Sequence, residues 1–170
     1  MQDPLALYKL IILYMLSQVD FSLTKAQIGD FILDKGYTNF LTLQQVIGEL
    51  IDDEMVSAQS IRNRTHLTIT KEGRETLGFF VNEIGDGIRK DVDEFFGSNE
   101  IKLRNEVSIL ADYYKSTSGE YEAHLTAKDK DITLVDLILS VPMEETAAAI
   151  CDNWQKQNQA IYKYLIKKLF

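Results

Sequence analysis

Two short apolar stripes joined through a single glycine turn constrain this chain more than any other feature. Thr24 stands just ahead of Ile28, Phe31 and Ile32, with Gln27 three residues after it. That is the spacing of a capping box, in which each side chain satisfies the other residue's backbone N–H. Gly36 follows as a C-cap, because glycine takes the left-handed conformation that ends many helices. After a tight turn at Tyr37 and Thr38, a second helix is expected to start near Thr42. Its residues Leu43, Val46, Ile47, Leu50 and Ile51 recur at helical spacing. Two short helices joined in this way form a helix-turn-helix.

The flanking elements extend the pattern. Asp3-Pro4 caps and opens a helix running to about Gln18. Leu7, Tyr8, Leu10, Ile11, Ile12, Tyr14 and Met15 make it apolar nearly all round, so it needs cover on more than one side, which a second subunit can provide. The run Leu5 to Leu16 lacks a basic start and a small-residue cleavage site, and Lys9 interrupts it. It is also shorter than the roughly 20 residues of a spanning helix. A buried or interface helix is expected there, and no membrane segment.

Downstream of the second helix, Met55 to Ser60 and Leu67 to Thr70 read as strands around a polar tip, Ile61-Arg62-Asn63-Arg64-Thr65. A helix from Thr70 carries Leu77, Phe80, Val81 and Ile84 inward. Gly85-Asp86-Gly87 is expected to break or kink it, since each interior glycine costs about 1 kcal/mol against alanine. Ile88, Val92, Phe95 and Phe96 continue the stripe to Gly97-Ser98-Asn99, the expected domain boundary.

Beyond that boundary the period changes from helical to alternating. Val107, Ile109, Ala111 and Tyr113 form one alternating run, and Tyr121, Ala123, Leu125 and Ala127 another, with Ser118-Gly119 as the turn between. A third strand, Ile132 to Val141, is apolar on both faces except at Asp136 and Ser140, and is expected to be central or covered on both sides. Pro142 closes it. A last helix carries Ala147, Ile150, Cys151, Trp154, Ile161, Leu165 and Leu169 on one stripe. The fold class expected is α+β. Residues 1–97 form a winged helix-turn-helix with a trailing helix, and residues 98–170 a small three-stranded antiparallel sheet with a carboxy-terminal helix.

Charge bears on what such a fold can bind. The 170 residues carry a formal net charge of -8. Residues 1–78 hold 7 basic and 10 acidic side chains, so neither half has the basic footprint of a strong non-specific nucleic-acid binder. Specific binding needs only a local basic patch, and Arg62-Asn63-Arg64 supplies one. Cys151 is the only cysteine, which excludes an intrachain disulfide and fits a reducing cytoplasm.

Helix, helix-turn-helix, hairpin and helix in that order resemble the winged-helix superfamily of bacterial regulators. Leu67-Thr68-Ile69-Thr70-Lys71-Glu72-Gly73 resembles the strand-then-helix signature of PadR- and MarR-type repressors, an apolar-x-Ile-Thr-x-x-Gly pattern. The chain lacks the glycine-tyrosine turn after the first helix and the long helical tail of PadR proteins. Nearly the whole chain is similar to a small uncharacterised bacterial family known only as a domain of unknown function. The stretches carrying that likeness are Leu7 to Leu16, Phe31 to Asn39, Ala111-Asp112-Tyr113-Tyr114 and Asn153-Trp154. The resemblance implies a transcriptional regulator.

The residues suit that role. A recognition helix sets short polar side chains of its first turns against base edges in the major groove. Thr42, Gln44, Gln45 and Gly48 fit, with Thr38 and Asn39 in the preceding turn. Glutamine matches adenine bidentately, and glycine admits close backbone approach. A solvated helix face would show the same polarity. Arg62, Asn63 and Arg64 are placed for phosphate or minor-groove contact, or simply keep a hairpin tip hydrated. Lys25 and Lys35, flanking the first of the two helices, either add backbone contacts or are plain surface lysines.

Signs of catalysis are thin. His66 and His124 are far apart in the sequence, with no paired metal ligands, and His124 falls on the polar face of its strand. Cys151 lies on an apolar stripe, and there is no phosphate loop or serine elbow. Asp52-Asp53 and Glu144-Glu145 sit at a helix end and a helix start, positions that speak to the helix dipole and not to acid-base chemistry. The expectation is a non-enzymatic, DNA-binding homodimer without cofactor, whose second half dimerises or senses an unknown small effector. The first helix, the second-half sheet, or both would form the dimer. A protein-protein adaptor that has lost DNA binding is the alternative, and the acidic balance favours it.

Overall fold

Asp3 accepts the Leu5 N–H over 3.1 Å and Pro4 follows it, so helix α1 (Pro4–Ser17) begins at the cap its sequence supplies. The computed structural model describes residues 3–130 and 132–170. They form two compact units, dividing after Arg104. Among the described residues the architecture is mixed α+β, with six α-helices, the last of them after the second sheet, and two small three-stranded antiparallel sheets. Among the described residues no helix is long and apolar enough to cross a membrane.

In the first unit, α1 is followed by strand β1 (Leu23–Thr24), helix α2 (Lys25–Asp34) and helix α3 (Phe40–Asp52). The capping box is present in full: Thr24 Oγ1 accepts the Gln27 N–H over 3.0 Å, and Gln27 Oε1 accepts the Thr24 N–H over 2.9 Å. Gly36 adopts φ +71°, and Tyr37 N–H reaches back to the Ile32 carbonyl over 3.2 Å, closing α2 in the expected way. α3 starts two residues before the expected Thr42. Asn39 is its N-cap and accepts the Thr42 N–H over 2.9 Å, which takes Phe40 and Leu41 into the first turn.

β2 (Val56–Ile61) and β3 (Arg64–Ile69) form a hairpin tighter than the sequence suggests. The expected five-residue tip is a two-residue turn, with Arg62 at φ 51° and Asn63 at φ 64°. Two successive positive φ values match the right-handed twist of the flanking strands, so the ladder continues to the Ile61–Arg64 pair. The sheet order is β1-β3-β2. β1 went unrecognised in the sequence because two residues are too few to show an alternating period.

α1 does not need a second subunit for cover. Leu10 to Leu13, Met15 and Leu16 are buried, and the helix packs on α3, on β3 and on α4 (Lys71–Phe80) of its own unit. Each such side chain contributes about 2 kcal/mol by leaving water.

The trailing helix is broken at Gly85, as expected, but runs on through the stretch expected to bound the domain. A 3-10 turn (Val81–Glu83) and an extended Ile84 separate α4 from α5 (Asp86–Ser108), which takes Asp86 and Gly87 into its first turn. Gly97-Ser98-Asn99, the expected boundary, lies inside α5, and the two units divide after Arg104. Val92, Phe96, Leu103 and Val107 are all buried at helical spacing across it, and that burial outweighs one interior glycine. Val107, expected to open a strand, is helical for the same reason.

The second unit holds β4 (Ile109–Lys115), β5 (Tyr121–Asp129), β6 (Ile132–Val141) and α6 (Glu144–Leu169), with sheet order β4-β5-β6. α6 packs on one face of the sheet, where Ala123, Leu125, Ala127, Val135 and Trp154 are buried. Trp154 Nε1 donates to the Thr126 carbonyl over 3.1 Å. β6, expected to be central or covered on both sides, is an edge strand, and β5 is central. On the face away from α6, Leu134 is 41% exposed and Ile138 56%. A strand apolar on both faces reads the same whether its own chain or another molecule covers it.

Candidate nucleic-acid interface

Leu43, Val46, Ile47 and Leu50 point α3 into the core of the first unit, leaving the opposite side of the helix outward. Leu41, Gln44, Gln45 and Gly48 occupy that side at i, i+3, i+4 and i+7. Gln45 is exposed, while Thr42, Gln44 and Gly48 are half-buried. Thr38 is half-buried in the preceding turn. Asn39 is exposed, but its side-chain oxygen is engaged as the cap.

A polar chain organises the flank of this face. Gln45 Nε2 donates to Glu49 Oε1 over 3.0 Å, and Lys9 Nζ of α1 reaches Glu49 Oε2 at 2.7 Å. The Lys9 ammonium, and then the Gln45 amide, hold the Glu49 carboxyl below its ordinary range. Residues 40–48 carry no charge, and all of the acid on α3 lies at Glu49 and Asp52. The macrodipole then leaves the amino-terminal turns as the positive end of the helix.

The second cluster is the β2–β3 tip. Arg62 is half-buried there, while Asn63 and Arg64 are exposed. Arg62 and Asn63 are turn residues, but Arg64 belongs to β3. Lys25 is half-buried at the first position of α2, and Lys35 Nζ lies 3.9 Å from Asp91 Oδ1. The α3 residues thus form one group and the hairpin residues another, both within the first unit.

Sequence reasoning missed Phe40 and Leu41, which are 60% and 79% exposed at the start of α3. The usable signal was Asn39, a good N-cap residue directly before them. Among the described residues no group of three or more His, Cys, Asp or Glu could hold a metal ion. His124 is not a free surface histidine, because its Nε2 lies 2.5 Å from Asp136 Oδ1 on the neighbouring strand. Cys151 packs beside the Trp154 cluster.

These elements define a two-unit α+β protein with helical and hairpin surfaces on its first unit. The chain matches the family model described as "Domain of unknown function (DUF4364)" over residues 8–169, and it belongs to that family. No curated protein and no solved structure matches it.

Proposed function

We propose that the protein is a winged helix-turn-helix transcription regulator that binds double-stranded DNA as a homodimer in the cytoplasm. The observation carrying this reading is the capped α2–turn–α3 pair followed by a hairpin whose two-residue turn presents Arg62, Asn63 and Arg64. The order α1-β1-α2-α3-β2-β3 with a β1-β3-β2 sheet supports this reading. In this reading α3 enters the major groove, and the hairpin rests on the phosphate backbone or in the minor groove. The second unit supplies the two-fold partner surface through β6, since α1 is already covered. Titrating the full chain against its own promoter region, with random DNA as competitor at low salt, tests it. A preference for the promoter supports the regulator, and its absence refutes it.

A protein-protein adaptor is the second reading. Phe40 and Leu41 on α3 and Phe79 on α4, the last 83% exposed, are apolar surface of the kind protein partners cover. The net charge of -8 adds to it. The same titration separates the two.

A further inference from the structure

If α3 enters the major groove, its composition restricts what it can read. The commonest specific contact there is a lysine or arginine bonded to guanine O6 and N7. Phe40–Asp52 contains neither residue. Its outward side instead carries two amides, Gln44 and Gln45, beside Leu41 and the bare backbone of Gly48. Glutamine offers the donor and acceptor that adenine N7 and N6 require. The thymine methyl is the one apolar group that base pairs present in that groove, and Leu41 is the apolar side chain set on the same side as the amides.

The remaining features of α3 agree with this. A Cβ on Gly48 would meet nothing within 4 Å, so nothing inside the protein requires glycine there. The uncharged stretch 40–48 precedes both carboxylates, so the helix can approach a phosphate-lined groove by its amino-terminal turns while Glu49, neutralised by Lys9, and Asp52 stay behind. The hydrogen bond from Gln45 to Glu49 uses one amide hydrogen and leaves the other, with the carbonyl oxygen, for a base.

We propose that α3 selects A·T base pairs, with Leu41 against a thymine methyl and the Gln44 and Gln45 amides on adenine. This rests on the DNA-binding reading above.

The test is selection of bound duplexes from a random-sequence pool with the full chain, followed by thymine-to-uracil replacement in the selected site. Enrichment of A·T pairs in each half-site core is expected. Uracil at the contacted position should weaken binding about fourfold, the worth of one methyl group leaving water. Leu41→Ala should bind the thymine and uracil duplexes equally. Leu41 is exposed, so the variant should keep the wild-type melting temperature. A G·C-rich core, binding without enrichment, or a thymine preference that persists in Leu41→Ala overturns the inference and leaves DNA binding standing. Failure to bind any duplex at low salt overturns the DNA-binding reading, and this inference with it.

Discussion

Tyr37 Oη donates a 2.5 Å hydrogen bond to Asp91 Oδ2, tying the turn in front of α3 to α5, 54 residues further on. The Tyr37 ring also packs edge-on against Phe31 of α2, with centroids 5.9 Å apart, and Phe31 lies tilted against Phe95 of α5 at 4.9 Å. The turn that sets the direction of α3 is therefore held from two sides.

Alkali should loosen it. Burial first, then the Asp91 hydrogen bond and charge, raise the Tyr37 phenol well above its ordinary range. The folded state therefore holds this proton more tightly than the unfolded one, whose phenol titrates near pH 10. The resulting stability is complete below about pH 10 and is lost as the pH rises through the folded value. Tyr37→Phe should cost about 1 kcal/mol at pH 7, and its deficit against wild type should shrink above pH 10. Urea unfolding at pH 7 and pH 11 measures both. An identical deficit at the two pH values would show that the hydrogen bond has no such role.

Gly73 admits no other residue. A Cβ there would lie 2.2 Å from the Met55 carbonyl oxygen and 2.9 Å from Ile69 Cγ1. Gly73→Ala should lose at least about 2 kcal/mol, the scale of overpacking in a tight site. Gly78→Ala in the same helix meets nothing and should gain about 0.5–1 kcal/mol. Thermal melts of the pair decide it, and equal shifts would refute the packing argument.

Gly48 should separate stability from function. Gly48→Ala should raise stability by about 1 kcal/mol, since alanine favours the helix and has room. If DNA backbone or bases approach that point, the added methyl should also weaken binding. A variant that melts higher and binds the selected duplex unchanged would remove Gly48 from the interface.

The hairpin arginines should act on phosphate and not on sequence. Arg62→Gly suits the positive φ at that position, and Arg64→Ala removes the neighbouring charge. Together they should weaken all duplexes alike and reduce the salt slope by about 1 for each lost phosphate contact. Binding isotherms across salt concentrations give the slope, and an unchanged slope retires the hairpin as a contact.

Assembly should run through β6. Light scattering at micromolar concentration should give twice the 19.4 kDa chain mass. Ile138→Lys, which charges the exposed apolar edge strand, should return the mass to that of one chain. A wild-type mass near 19.4 kDa refutes the dimer.

Much of this fold was legible in the residues because its signals are local. Asp3-Pro4, the Thr24–Gln27 box and Gly36 act within a few positions of themselves, and the period of apolar residues follows from the geometry of a single helix or strand. The bounds of β6 were likewise readable from Ile132 to Val141. Long-range packing decided the rest. Gly97 is helical because Phe96, Leu103 and Val107 are buried on either side of it, and β6 lies at an edge because β5 pairs with both of its neighbours. The Gly73 requirement shows the division in one residue. The motif placed a glycine after Ile69-Thr70, but only the fold brings the Met55 carbonyl to where a side chain would stand. Capping and periodicity are properties of neighbouring residues, whereas burial and close approach belong to residues that meet only once the chain has folded.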